Sequence, residues 1–173
     1  GKLLVRKNGA WTALASGTSK DLLAVWTNGD EIFAGGDEGT VVRCARGKCA
    51  PMKTKIEDPI HAIRGRSLTE LYAVARSAQL FRFAGTEWKK VPGPGDPQVE
   101  VIHPRSRDGE EGIVHIGAIG PAPGGGLIVE RTDGSYRVEG NTWTRLGDGG
   151  AVALTDGSDG EIRAAVSYTH LAG

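Results

Sequence analysis

Aromatic side chains make up only 6% of this 173-residue chain, which has two cysteines and a single methionine. Charge of one sign is missing too, since 21 Lys and Arg balance 21 Asp and Glu. That balance removes the electrostatic ground for expecting nucleic acid or an anionic membrane surface as partner. Long hydrophobic runs are absent. Leu22-Leu23-Ala24-Val25-Trp26 is as long as an uninterrupted apolar run becomes, far short of the roughly 18 to 20 residues that span a bilayer. No segment shows apolar residues at helical spacing. Enzyme signatures are missing as well: there is no Gly-x-Ser-x-Gly, no Gly-x-x-x-x-Gly-Lys-Ser/Thr and no His-Glu-x-x-His. The chain starts at Gly1 rather than Met and shows no signal peptide, so its destination has to be read from other features.

What the chain has in excess is glycine. With 27 glycines, about one position in six is glycine, against about 7% in ordinary proteins. Eight prolines add to this, and both residue types disfavour helix interiors. Short strands joined by turns fit that composition. The glycines have no every-third-residue period, which excludes collagen, and Val, Ile and Leu recur throughout, which excludes wholesale disorder.

A repeat of about 39 residues organises the rest. An Arg, a short turn with Gly and a large residue recur in Leu4-Val5-Arg6…Gly9…Trp11, Val41-Val42-Arg43…Gly47…Cys49, Leu80-Phe81-Arg82…Gly85…Trp88 and Ser135-Tyr136-Arg137…Gly140…Trp143. The anchors at 11, 49, 88 and 143 are 38, 39 and 55 residues apart, and about 16 inserted residues account for the last interval. Upstream of these stand paired apolar runs: 22–26 with 31–34, 60–63 with 70–74, 113–116 with 127–129, and 151–154 with 161–164. Asn28-Gly29-Asp30, Gly65-Arg66-Ser67 and Asp156-Gly157-Ser158-Asp159-Gly160 supply the turns between runs.

Four short antiparallel strands per repeat is the pattern of a β-propeller blade, in which radial repetition protects sheet edges. The expected fold is therefore all-β, with partial blades at 2–14 and 151–166, full blades at 21–54, 59–91 and 113–147, an insertion at 93–112 and an atypical tail at 167–173. The first strand of each blade is expected to line a central channel. Sixteen strands make four blades' worth, either a closed four-bladed ring sharing one blade between its termini or a slice of a larger ring. The slice is favoured, because Gly1 begins inside a blade. The tail, Val166-Ser167-Tyr168-Thr169-His170-Leu171, breaks the repeat and resembles translated adapter sequence, so it is left out of functional argument.

The segment 21–52 resembles the tandem propeller repeats of secreted or surface bacterial proteins. The resemblance rests on Leu22-Leu23-Ala24-Val25-Trp26, Asp30-Glu31-Ile32-Phe33-Ala34-Gly35-Gly36-Asp37-Glu38-Gly39-Thr40 and Val41-Val42-Arg43. Later repeats depart from it, with Ala75-Arg76-Ser77-Ala78 and Arg131-Thr132-Asp133-Gly134 in place of the Gly-Asp-x-Gly-Thr turn. It covers about 2–166, and it implies a fold more than an activity.

Cys44 and Cys49 occupy the positions of Phe83 with Trp88 and Val138 with Trp143. Such positions face each other across the last hairpin, where Cα atoms about 4.5 to 5.5 Å apart permit a disulfide. Two reduced thiols filling packing sites are the other reading. Zinc would need about four ligands and finds two. A disulfide favours an oxidising compartment, hence a secreted, periplasmic or cell-surface protein. His61 and His115 share a repeat position if one gap is placed, both on the channel strand, with Leu23 and Val152 as counterparts. They are candidates for a ligand or metal site, or ordinary hydrogen-bonded histidines. His103 and Arg105 lie in the insertion, which is either a binding loop or a solvated linker. Arg43, Arg82 and Arg137 recur at one blade position, so symmetry spreads them apart instead of converging them. Nothing in the chain calls for a metal or cofactor. The expected function is a non-catalytic scaffold that binds a protein or glycan; the alternative is a propeller-based glycoside hydrolase, lyase or oxidoreductase with its polar residues at the channel mouth.

Overall fold

The computed structural model describes residues 1–93 and 116–147 and the backbone of two further strands at 151–156 and 162–166. Sixteen strands form antiparallel sheets, and the described residues hold no helix beyond two single 3-10 turns at Asp37–Gly39 and Leu68–Glu70. In chain order the strands are β1 (Lys2–Lys7), β2 (Ala10–Ala15), β3 (Leu22–Thr27), β4 (Glu31–Gly36), β5 (Val41–Ala45), β6 (Lys48–Met52), β7 (Ile60–Gly65), β8 (Leu71–Ala75), β9 (Leu80–Phe83), β10 (Trp88–Val91), β11 (Ile116–Pro121), β12 (Leu127–Arg131), β13 (Gly134–Glu139), β14 (Thr142–Gly147), β15 (Ala151–Asp156) and β16 (Ile162–Val166). They make three four-stranded sheets, β3 to β6, β7 to β10 and β11 to β14, and two two-stranded ones, β1–β2 and β15–β16. None of these sheets closes on itself. The strands fall into two compact units, Gly1–Lys89 and Lys90–Gly173.

A first strand was expected over 113–116; residues 113–115 lie outside the described residues, and β11 runs Ile116–Pro121.

Turn chemistry sets the hairpins. Asn8 and Gly9 both have positive φ, 50° and 81°, as do Arg46 and Gly47 at 52° and 74°. That is the type I′ pattern, whose twist matches the flanking strands. A two-residue turn makes its flanking residues a hydrogen-bonded pair, so pairs alternate from there. On β5 and β6 the flanking pair is Ala45 with Lys48, and Cys44 opposite Cys49 is the next, closer pair. The two sulfurs are bonded, with Cα atoms 3.9 Å apart, closer than the expected separation. Pro51 faces Val42 one step beyond Arg43 and Ala50, a position where the missing N–H points away from β5 on an outer strand.

Each four-stranded sheet keeps its second strand the driest. All five residues of β8 are buried, as are all five of β12. A strand covered on both faces reads as an apolar run instead of an alternation, which is how Leu71-Tyr72-Ala73-Val74-Ala75 reads. Outer strands are wetter: β14 exposes all but Trp143. Within Gly1–Lys89 the sheets stack face on face. Phe33 and Val41 pack against Ile60, Ile63, Leu71, Ala73, Phe81, Phe83 and Trp88 in one cluster. Leu3 packs on Ala34, Val42 and Cys44 in another. Trp26 ties β3 to β7 by donating its indole N–H to the Gly65 carbonyl at 2.7 Å.

Gly35 permits this stacking by its size. A Cβ there would lie 2.5 Å from Ile60 Cγ2 and 2.9 Å from Ile60 Cβ, well inside contact distance. Gly35→Ala therefore overpacks the junction and is expected to cost about 1 to 3 kcal/mol in urea unfolding. Gly147→Ala, where an added Cβ meets nothing within 4 Å, is expected to change the midpoint little; equal effects from both would refute the close approach.

Candidate functional site

The first strands carry a shared irregularity. In β3 the pairing shifts between Leu22 and Ala24, in β7 between Ile60 and Ala62, in β11 between Ile116 and Ala118, and in β15 between Ala151 and Ala153. Each shift leaves one extra residue, a β-bulge, and the four are Leu23, His61, Gly117 and Val152. Bulges re-aim side chains and recur next to functional surfaces. The register makes Leu23 and Val152 counterparts of His61, as expected from the repeat, and puts Gly117 in the place that His115 was expected to hold. The one-gap alignment of the histidines had no turn to anchor it. His115 itself, with His103 and Arg105 of the insertion, lies outside the described residues, as do the tail and His170.

His61 is exposed on β7 and accepts a hydrogen bond at Nε2 from Arg76 Nε at 3.2 Å. On β3, which runs beside β7, Leu23 is 47% and Val25 57% exposed. Among the described residues no group of three or more His, Cys, Asp or Glu stands close enough to hold a metal ion.

The repeated arginines are spent locally. Arg43 on β5 donates Nε and a terminal nitrogen to both Glu31 oxygens at 2.7 and 2.9 Å. Its guanidinium lies 5.5 Å from the Phe33 ring centre and 5.8 Å from that of Phe83, within cation–π range. Arg82 donates to the Thr69 carbonyl at 2.9 Å. Arg137 donates to Glu139 at 2.6 Å and to the Gly125 carbonyl at 3.2 Å. Each arginine thus binds partners near it along the chain. Arg6 departs from the series: it faces Trp11, the position of Cys44 against Cys49, one residue later than Arg43 in the register.

The most enclosed charge pair was not foreseen. Arg131, at the end of β12, holds Asp133 through two bonds of 2.8 Å, with both side chains nearly buried. Its guanidinium lies 5.5 Å from the Tyr136 ring centre and 5.7 Å from that of Trp143. Beside it Ser135 donates to buried Glu130 at 2.7 Å. Burial, then the Asp133 charge, pushes the Tyr136 phenol above its usual value, partly opposed by Arg131 and Arg145. The only sequence signal was Arg131-Thr132-Asp133 across a two-residue turn. The large exposed side chains were also missed: Trp11 is 67%, Leu4 59% and Leu146 56% exposed.

Two outcomes follow from these pairs. The Arg43 hydrogen bonds hold the Glu31 carboxyl below the usual glutamate range, outweighing the opposite effect of burial. A carboxylate with a depressed folded value contributes stability that is complete above its unfolded value, near 4.3, and is lost as pH falls through the folded value. Chemical unfolding is expected to show stability dropping below about pH 4.3, with a shallower drop in Glu31→Gln; identical pH profiles would count against the pair. Arg131→Met strands Asp133 in the interior and is expected to cost about 3 to 5 kcal/mol, read by urea denaturation, with Arg131→Met/Asp133→Leu recovering most of it.

No family model matches the sequence, and no curated protein matches it either. Among solved structures, the crystal structure of the computationally designed Ika4 protein is similar to this chain at a TM-score of 0.51 and 12% identity, over 87% of this chain and 93% of that one. At that identity the likeness bears on the fold alone.

Proposed function

We propose that this chain is a propeller-type repeat module that binds a protein partner as a non-catalytic scaffold, in a secreted or cell-envelope protein. The observation that carries the reading is the division of labour among its side chains. Arg43 is engaged with Glu31 and Arg131 with Asp133. Large apolar groups face solvent instead. Trp11, 67% exposed, stands directly across from Arg6, with Leu4 two residues away on the same face of β1. Tryptophan and arginine are the residue types most enriched where binding energy concentrates. The same indole offers a stacking face for a sugar ring, so a glycan is the second ligand class the pair suits. The Cys44–Cys49 disulfide supports an oxidising compartment, and no helix among the described residues is long and apolar enough to cross a membrane.

The reading is tested by screening the chain and its Trp11→Ala variant against a displayed peptide library and a glycan array. Selected peptides are expected to lose about thirtyfold or more in affinity with the variant, the scale of a hot-spot truncation of 2 kcal/mol. Array hits that depend on Trp11, without peptide binders, would transfer the reading to glycans. Binders indifferent to Trp11, or none of either class, would overturn it.

A further inference from the structure

The outer face of the β1–β2 hairpin is exposed and carries charge of one sign. Alternation puts Lys2, Leu4 and Arg6 on one face of β1, and the register sets Ala15, Ala13 and Trp11 opposite them. All six are exposed, while Leu3 on the other face is buried against Ala34, Val42 and Cys44. Arg6 and Trp11 are the first pair beyond the residues that flank the Asn8-Gly9 turn, the close class of pair in which side chains approach most.

The chain as a whole is neutral, but residues 1–20 hold Lys2, Arg6, Lys7 and Lys20 and no Asp or Glu. Lys20 is paired with Glu38. Among the described residues, Lys2, Arg6 and Lys7 join no ion pair. The molecule shows twice what an arginine laid by aromatic rings takes up: Arg43 lies by Phe33 and Phe83 with its fork closed by Glu31, and Arg131 lies by Tyr136 and Trp143 with its fork closed by Asp133. Arg6, opposite Trp11, has the ring and lacks the acid.

Resting on the reading of Trp11 as a binding group, we propose that this face takes an extended, acidic segment of a partner protein, whose carboxylates meet Lys2 and Arg6 and whose apolar side chain between them meets Leu4. Lys2, Leu4 and Arg6 recur about every 7 Å along β1, and same-side residues of an extended peptide keep the same step. An acid–apolar–acid series therefore matches the cation–apolar–cation series without a bend in either chain. The aliphatic Leu4 between the cations favours a peptide over an acidic sugar, whose hydroxyls would have no partner there. Complementary charge steers the encounter and selects the partner, and the exposed Leu4 and Trp11 supply the apolar contact that holds it.

Titration of the whole chain with fluorescent peptides repeating Glu-Ser-Leu-Ser, and with the neutral repeat Gln-Ser-Leu-Ser, tests the match. The acidic repeat is expected to bind at least about tenfold more tightly at about 0.1 M salt, the scale of two exposed ion pairs, and the gap to narrow at about 1 M. Arg6→Gln is expected to narrow the gap about threefold and Lys2→Gln/Arg6→Gln to close it. Arg6→Lys, and Arg46→Gln at an exposed arginine of another turn, are expected to keep it. Equal affinity for the two repeats would overturn the acidic assignment; if Trp11→Ala still abolished binding of both, the scaffold reading would stand without it. Binding of neither repeat, or tighter binding of a polymer of uronic acids, would also overturn the assignment, while library peptides that need Trp11 but no acid would leave the scaffold reading in place.

Discussion

The second strand of each complete sheet is covered on both faces, and most of the architecture follows from that burial. Phe33 on β4 is wholly inaccessible and touches Phe83 at 5.0 Å between ring centres and Trp88 at 6.2 Å on the sheet stacked against it. A strand in that position has no water for its backbone, so its N–H and C=O groups must be paired on both sides. This requirement places β3 and β5 along its edges and leaves β3 and β6 as the terminal strands of the sheet. The same contact demands a glycine at position 35, where Ile60 leaves no room for a Cβ.

Charge placement is subordinate to this packing. Arg43 lies over the rings of Phe33 and Phe83, where a guanidinium is stabilised by the aromatic faces but loses water. Glu31, on the neighbouring strand, restores what is lost with two hydrogen bonds. Arg131 repeats the arrangement over Tyr136 and Trp143 with Asp133 as its partner. The two solutions use different carboxylates from different places, one on the adjacent strand and one across a turn. What they share is an arginine laid on an aromatic pair with its fork closed by one acid. Side chains engaged in this way are committed to the fold, while Leu4, Trp11, Leu23 and Val25 stay exposed.

Much of this was legible in the residues and some of it was not, for definable reasons. Strand positions were legible wherever Asn, Asp or Gly punctuated apolar runs, as at Asn8-Gly9 and Asn28-Gly29-Asp30. The cysteine pairing was legible because Cys44 and Cys49 flank a short turn, and the bond is present. A shared position for His61 and His115 was not legible, because sequence spacing does not show bulges: the bulge of β11 sets Gly117 at the step that His61 holds in β7. Arg6 looked like the first member of the arginine series, but a count of residues from the turn places it one step away, opposite Trp11.

The sequence by itself determined the strand content and the turns, because these depend on interactions between residues close along the chain: glycine's access to positive φ, the alternation of apolar residues and the spacing of the two cysteines. Only the tertiary structure decided which charges pair, which bulge carries which residue and which apolar groups stay in water. Those outcomes depend on the register between strands and on the stacking of one sheet on another, and a one-residue shift in register turns a side chain to the opposite face. Arg131 and Asp133 became a buried pair, and Trp11 an exposed indole, through that long-range placement and through nothing written at their own positions.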